Sequence, residues 1–356
     1  MINTIITGSG SYIPNVKVNN DTFVKNTFHH EDGKTIQNSI EDIIRKFKDI
    51  TGISSRRYVE ESQSCSEIAT LAAEKAVENA KIDPETIDMI IVAHNFGDVI
   101  SGSHQSDMVP SIASRVKHNL GIKNEFCVPY DVIFGCPGWV QGMIQAHMFI
   151  KSGEVNRCLV IGAEALSRVV DPFDRDTMIF ADGAGAVIVE GIEENEKRGI
   201  ISHATVSHTA EEKDYLGFGE SYDKTSKDHV RYIKMNGRKI YSYSLMNVPK
   251  AMKFCMDKAN LDIKDLDKIL IHQANEKMDE AIVQRLYKLN DLDEMPKYIM
   301  PMIIDRLGNS SVATIPTLYD LIMREKLPKH KIKPGDNVLF ASVGAGMNIN
   351  AIVYKA

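Results

Sequence analysis

Long apolar runs are missing. No stretch of about 18 uncharged apolar residues occurs in the 356 residues, so no membrane-spanning helix is expected. The opening residues, MINTIITGSGSYIP, lack a basic segment, and their apolar run is too short for a secretory leader. Cysteines are few and odd in number. The five, at 65, 127, 136, 158 and 255, fit neither a disulfide framework nor a zinc pattern. Free thiols in a reducing compartment, the cytoplasm, are the expectation. A basic excess is also absent. The net charge of −6 leaves nothing to neutralise a nucleic-acid backbone. There is no dinucleotide fingerprint either. The glycine-rich pieces ADGAGA (181–186) and GAGM (344–347) lack the G-x-G-x-x-G spacing and the helix that should follow it. Glycine there reads as close approach of backbone to a ligand or to another strand.

What is present is an α/β pattern written twice. Residues 82–92, IDPETIDMIIV, resemble residues 261–271, LDIKDLDKILI. Ahead of them, Ala73, Ala76, Val77 and Ala80 hold the same offsets as Met252, Cys255, Met256 and Ala259. That i, i+3, i+4, i+7 spacing marks one buried helix face. Further on, Phe134-Gly135-Cys136 matches Leu307-Gly308-Asn309, each before a helical stretch (137–151 and 310–326) and then a strand. Short apolar runs after helices are read as strands buried on both faces. The repeat is half the chain, which predicts two α/β halves, 1–190 and 200–356, with the charged GIEENEKRG (191–199) as the link. A pseudo-two-fold axis would bring the equivalent positions Cys136 and Asn309 face to face.

Three residues gain chemistry from this layout. With Pro137 as the first helical residue, Cys136 is expected at the N-cap, where the macrodipole and free N–H groups favour thiolate. The bland reading is a small buried hydrophobe. His272 ends a strand-like run in KILIHQAN, where α/β sites are built, although one of eleven histidines could be purely structural. Asn309, in RLGNSS, gains weight as the repeat partner of Cys136, against the plain role of a helix cap.

In order along the chain stand GSGSYIP, TGISSRRY, FGCPGW, IGAEALSR, DPFDRDTMIFADGAGA, MNGRKIY, IHQAN, GNSSVATIP and GAGM. With these motifs the chain resembles the β-ketoacyl-acyl carrier protein synthase III group of the thiolase superfamily, over nearly its whole length. The resemblance implies a duplicated five-layer α-β-α-β-α fold, a homodimer and a Cys136-His272-Asn309 triad. It also implies an acyltransferase that performs a Claisen condensation. Cys136 would carry an acyl group, with its oxyanion held by the backbone N–H groups of Cys136 and Gly346. His272 and Asn309 would stabilise the enolate of a malonyl-type thioester, and a 3-oxoacyl thioester would leave. No metal or redox cofactor is implied, only coenzyme A or acyl carrier protein thioesters as substrates.

The chain departs from the family pattern at several points. Lys46 and Ile50 stand where the family has the Trp and Arg that clamp the coenzyme adenine, and the stretch 26–45 is longer. Arg175 in DPFDR keeps a coenzyme-contacting arginine. Val109 stands where a bulky residue often limits acyl length, which favours a medium or long chain. Trp139 and Asn275 are further substrate-binding candidates. Lys277 and Arg285, sharing a helix face with Ala281, are expected to dock an acidic carrier protein, with an ordinary solvated face as the alternative. Other readings stay open: a specialised ketosynthase joining acyl and 3-oxoacyl thioesters toward a dialkylresorcinol-type or polyketide product, a non-catalytic acyl-binding partner subunit, and a Cys-His-Asn hydrolase.

Overall fold

Alternating helical stretches and short β-branched runs build two mixed sheets, one from each half of the chain. The computed structural model describes residues 1–226 and 229–356. The first half contains β1 (Ile2–Tyr12), β2 (Val16–Asn19), α1 (Ile40–Thr51), β3 (Ser55–Tyr58), α2 (Cys65–Ala80), β4 (Met89–Ala93), α3 (Ile112–Asn119), β5 (Val128–Val132), α4 (Gly138–Ser152), β6 (Arg157–Ala165) and β7 (Asp182–Glu193). The second contains β8 (Gly199–Ser207), β9 (Leu216–Glu220), β10 (Arg231–Met235), α5 (Gly237–Ala259), β11 (Lys268–Ile271), α6 (Glu276–Lys288), α7 (Ile304–Leu307), α8 (Thr314–Met323), β12 (Asn337–Gly344) and β13 (Asn348–Lys355).

The first sheet runs β1-β7-β6-β4-β5 and the second β8-β13-β12-β11. In the first, β1–β7 and β7–β6 are antiparallel and β6–β4 is parallel. In the second, β8–β13 and β13–β12 are antiparallel and β12–β11 is parallel. Four strands therefore repeat in order and direction. The counterpart of β5 does not form a strand. The Ile299 carbonyl accepts from the Ile269 N–H at 2.9 Å, but Pro296 and Pro301 flank that contact and have no N–H to extend a ladder.

Helices fill the remaining layers. α4 and α8 lie between the sheets, where Trp139 and Leu318 pack with Val160 and Val187 of one sheet and Leu270, Phe340 and Ile352 of the other. α2 and α3 cover the outer face of the first sheet, and α5 and α6 that of the second. This is the five-layer α-β-α-β-α arrangement. Among the described residues no helix is long and apolar enough to cross a membrane.

One helix begins later than the sequence pattern suggests. Residues 310–326 are not one helix: a 3-10 turn, Ser311–Ala313, precedes α8. A helix starting at 310 would bury Pro316 in its interior. Starting at Thr314 places that proline in the first turn, where its missing N–H costs nothing.

Two chain segments cover one end of the sheets. β9 and β10 pair as a separate antiparallel hairpin. Lys234 anchors it by contacting Asp171 at 2.5 Å and Asp174 at 3.1 Å. The long stretch before α1 folds onto the same region. There the His29 N–H donates to the Phe173 carbonyl at 2.8 Å and the two rings stack at 5.3 Å.

Candidate active site

Two glycines turn the chain into the site. Gly135 has φ +64° and Gly308 has φ +70°, values that L side chains rarely adopt. A Cβ on Gly135 would sit 2.6 Å from the Ala345 nitrogen, and one on Gly308 2.7 Å from the Arg56 Cβ. Cys136 follows the first turn. It is not the N-cap: α4 starts at Gly138, Pro137 holds the cap position, and Cys136 lies one residue further out. The Gly138 N–H closes the turn onto the Gly135 carbonyl at 2.9 Å.

Asn309 follows the second turn and is clamped by its backbone. Its N–H donates to the Ile179 carbonyl at 3.0 Å, and its carbonyl accepts from Ala181 N–H at 2.8 Å. Its side-chain oxygen accepts from the Ser311 N–H at 2.8 Å, so the amide NH2 remains to serve a ligand. His272 leaves the end of β11 with its N–H bonded to the Ala341 carbonyl at 2.8 Å. Its ring is buried, and Nδ1 has no partner among the described residues. Next to it, Gln273 is locked between the Pro301 carbonyl and the Ile303 N–H.

Cys136, His272 and Asn309 meet in one cavity of about 370 Å³, with Asn95, Ser311 and the Gly344–Asn348 turn beside them. The other walls are apolar: Leu166, Phe180, Leu216, Phe218 and Ile233, the last three from the β9–β10 hairpin. Phe218 stacks on Phe96 at 4.9 Å and closes that side. A second cavity of about 430 Å³ adjoins the first and shares Asn309, Ala274, Met278, Met235 and Ile240 with it. Its outer lining includes Lys46, Phe47, Ile50, Arg175, Arg238, Tyr241 and Asn275. It is a groove leading from the surface to the thiol.

Burial controls the charges. The Cys136 thiol is pushed up to about 11 by desolvation; the Ser311 side chain beside it pulls down and the Glu164 carboxylate pushes further up. Burial therefore works against the thiolate that the helix terminus is expected to favour. The desolvation cost of a buried charge exceeds the help of a nearby helix terminus. His272 is held down to about 4 by burial, with the Ser311 backbone drawing it part of the way back, so its ring is neutral at neutral pH. Glu164, buried at the end of β6, is pushed up to about 8 against the bonds donated by Asn95.

The remaining candidates scatter. Gly346 has φ +74° and lines the cavity beside Cys136. Arg175 and Asn275 lie on the groove, and Asn275 also caps α6 by accepting from the Met278 N–H at 3.1 Å. Trp139 is a correction: it does not line the cavity. It is buried between the sheets, donates to the Val160 carbonyl at 3.3 Å and meets Phe340 edge-on. It points away because helix α4 turns that face to the sheets. Val109 lies outside the cavity of its own chain and is 87% exposed. Lys277 and Arg285 are both exposed on α6. Cys65, Cys127, Cys158 and Cys255 are buried. The sequence reading missed Asn95, Glu164, Ser311 and the hairpin. Only the second serine of GNSS and the acid of IGAE signalled any of them.

A profile described as 3-oxoacyl-(acyl-carrier-protein) synthase III matches residues 130–208, and its C-terminal counterpart matches residues 256–356. The β-ketoacyl-(acyl-carrier-protein) synthase III of Erythrobacter litoralis is 32% identical over 100% of both chains. The chain belongs to the β-ketoacyl-acyl carrier protein synthase III family. The Ehrlichia canis relative is 33% identical over 98% of this chain and 97% of its own. The crystal structure of the Aquifex aeolicus synthase III superimposes with a TM-score of 0.79 at 28% identity, covering 99% of this chain and 100% of that one. As a member of the synthase III family, the chain is an acyltransferase that condenses thioesters to 3-oxoacyl thioesters on a thiolase fold.

Proposed function

We propose that Cys136 carries the acyl group and that His272 and Asn309 serve the second substrate. The observation that carries this reading is the single cavity in which a thiol, a neutral imidazole and a free amide NH2 converge at the end of a surface groove. An acyl thioester enters along the groove from coenzyme A or an acyl carrier protein. Its carbonyl carbon is attacked by Cys136, and the backbone N–H groups of Cys136 and Gly346 hold the oxyanion. The malonyl-type thioester then places its thioester carbonyl between His272 and Asn309. Loss of carbon dioxide leaves an enolate, which attacks acyl-Cys136 and releases a 3-oxoacyl thioester. Neutral donors suit this step, because they do not compete with the departing carboxylate and their bonds strengthen as charge develops. No resident metal or redox group enters these steps.

The acyl group is longer than acetyl. A cavity of about 370 Å³ far exceeds the roughly 10–15 Å³ that a single water needs, so a two-carbon group would leave most of it unfilled. Its walls beyond Cys136 are apolar. The working unit is a homodimer. β5 is an edge strand, and Val109 (87%), Phe126 (86%), Val128 (51%) and Ile133 (60%), on it or on loops next to it or its neighbours, are exposed. Such an edge invites pairing with a second copy.

Intact-protein mass spectrometry after incubation with acyl-coenzyme A and acyl-carrier series of increasing length tests this reading. A stable adduct on Cys136, discharged by malonyl thioester into a 3-oxoacyl product, is expected. An adduct that water removes equally fast without malonyl thioester would instead make the protein a hydrolase. Absence of any adduct would make it a binding subunit. Labelling by acetyl donors alone would refute the longer chain.

A further inference from the structure

Ser311 is the residue at which the three site groups meet. Its N–H donates to the Asn309 side-chain oxygen at 2.8 Å. Its backbone faces the His272 ring, and its side chain lies beside the Cys136 thiol. It is held at φ +52°, a left-handed conformation that costs a non-glycine residue energy and persists only where surroundings enforce it.

The surroundings that enforce it are polar. Asn95, just past β4, donates from Nδ2 to the Ser311 Oγ at 3.3 Å. The same Nδ2 donates to the Glu164 Oε1. Glu164 is 1% exposed, next to the equally buried Asp182, in a place where an apolar side chain would cost far less. The direction of these bonds is fixed by chemistry. Asn95 turns its NH2 toward both Glu164 and Ser311, and above about pH 8, where Glu164 ionises and can only accept, no other orientation satisfies the pair. The Ser311 oxygen then accepts from that NH2, and its own proton is free to point the other way. The Cys136 thiol shares the cavity with the Ser311 side chain and is its hydrogen-bond partner there.

We propose that Glu164, Asn95 and Ser311 form a one-way hydrogen-bond chain that turns the Ser311 O–H onto the Cys136 sulfur. Ser311 is then a catalytic residue that supports the nucleophile, and Asn95 and Glu164 are positioning residues for it. The proposal rests on Cys136 being the acyl carrier. During transfer the Cys136 S–C bond forms as the carbon–sulfur bond of the donor thioester breaks. The proton lost by Cys136 ends on the departing carrier thiol, so no other acid or base is consumed. While the sulfur bears charge, the Ser311 O–H is its donor inside a desolvated pocket.

The test is the pH profile of Cys136 alkylation by iodoacetamide, located by mass spectrometry, in the full-length protein. The titratable groups facing the thiol are His272 and Glu164, with Asp182 behind Glu164. His272 titrates far below the window, and Glu164, pushed up to about 8, is ionised through the upper part of it where the thiol responds. Ser311→Ala and Ser311→Gly should move the profile upward by about one pH unit, the size of a hydrogen bond to a charged group. The glycine variant also relieves the positive φ, so it folds if the alanine variant does not. Asn95→Ala should move the profile the same way, by less. Glu164→Gln keeps an acceptor oxygen while removing the charge, so it should leave the profile in place or lower it. Serine variants whose profiles overlay the parent would overturn the chain. So would an upward shift in Glu164→Gln. If the parent forms no acyl adduct at Cys136, the reading beneath the proposal fails. If it forms the adduct but the serine variants are unshifted, only the chain fails.

Discussion

The loop before α4 and the loop before α8 begin alike and end differently. Both turn on a positive-φ glycine, Gly135 or Gly308, and both place one polar side chain next. After Gly135 the chain reaches helix within three residues, so the α4 terminus sits close behind Cys136. After Gly308 it takes Asn309, Ser310 and a 3-10 turn from Ser311 before α8 begins at Thr314. The short loop holds a nucleophile against a helix end. The long one spreads an amide, a backbone N–H and a hydroxyl around the same cavity. Duplication supplied two equivalent turns, and the extra residues of the second turned a mirror position into a complementary one.

The sharpest way to break this division of labour is to remove each residue and follow the two half-reactions separately. Cys136→Ala should abolish the acyl adduct and lower overall transfer by on the order of 10³-fold or more, with folding retained. Asn309→Ala should leave the adduct and slow its discharge by malonyl thioester by about 10²- to 10³-fold, the usual cost of losing a donor to developing negative charge. If Asn309→Ala blocked adduct formation as strongly as discharge, the two loops would not divide the work. pH adds a check on the discharge arm. His272 has a folded-state value near 4, below its ordinary 6.5. Discharge by pre-acylated enzyme should stay flat as pH falls from 8 to 6 and fail as it approaches 4. The folded protein should also lose stability from this group as pH drops from 6.5 through 4, since the unfolded chain takes up the proton first.

Much of this was legible before any coordinates. The repeat of helix, loop and strand at 73–92 and 252–271 predicts α2–β4 and α5–β11, because a buried helix face and a doubly buried strand leave unmistakable apolar spacing. The convergence of Cys136 and Asn309 follows from that repeat. Other features were not legible, for identifiable reasons. The start of α8 depended on where Pro316 could be tolerated. The direction in which Trp139 points depended on the rotation of α4 against two sheets. The state of the Cys136 thiol depended on solvent exclusion, which no local motif encodes. Asn95 and Glu164 lie 69 residues apart and meet only because β4 and β6 are neighbours in the sheet.

The two turns themselves can be exchanged for strained ones. Gly135→Ala brings a Cβ to 2.6 Å from the Ala345 backbone, and Gly308→Ala brings one to 2.7 Å from Arg56 in a backbone conformation nearly exclusive to glycine. Each should cost about 2–4 kcal/mol in denaturant unfolding. The kinetic consequences should separate, by roughly 10-fold each, a scale consistent with small misplacements of reacting groups. Gly135→Ala should impair acylation, and Gly308→Ala should impair discharge. Equal damage to both steps in both variants would mean that the loops move as one unit.

The smallest effect belongs to the outer helix layer of the second half. α6 carries Lys277 and Arg285 eight residues apart, about 12 Å along the axis, both exposed and beyond the groove that Asn275 helps to line. An acidic carrier protein approaching a chain of net charge −6 is repelled overall, so local cations must offset that field where it docks. The same helix also holds Glu276 and Glu280, which dilute the positive face. Charge reversal by Lys277→Glu with Arg285→Glu should therefore raise the KM for carrier-bound substrate only about 5-fold. The increase should shrink as salt rises past 0.15 M, where the Debye length is about 8 Å. The KM for the same acyl group on coenzyme A should not move, because neither Lys277 nor Arg285 lines the groove or the cavity. A matching change for both donors would place Lys277 and Arg285 in the groove's field instead of a protein dock. No change for either would leave α6 an ordinary solvated face.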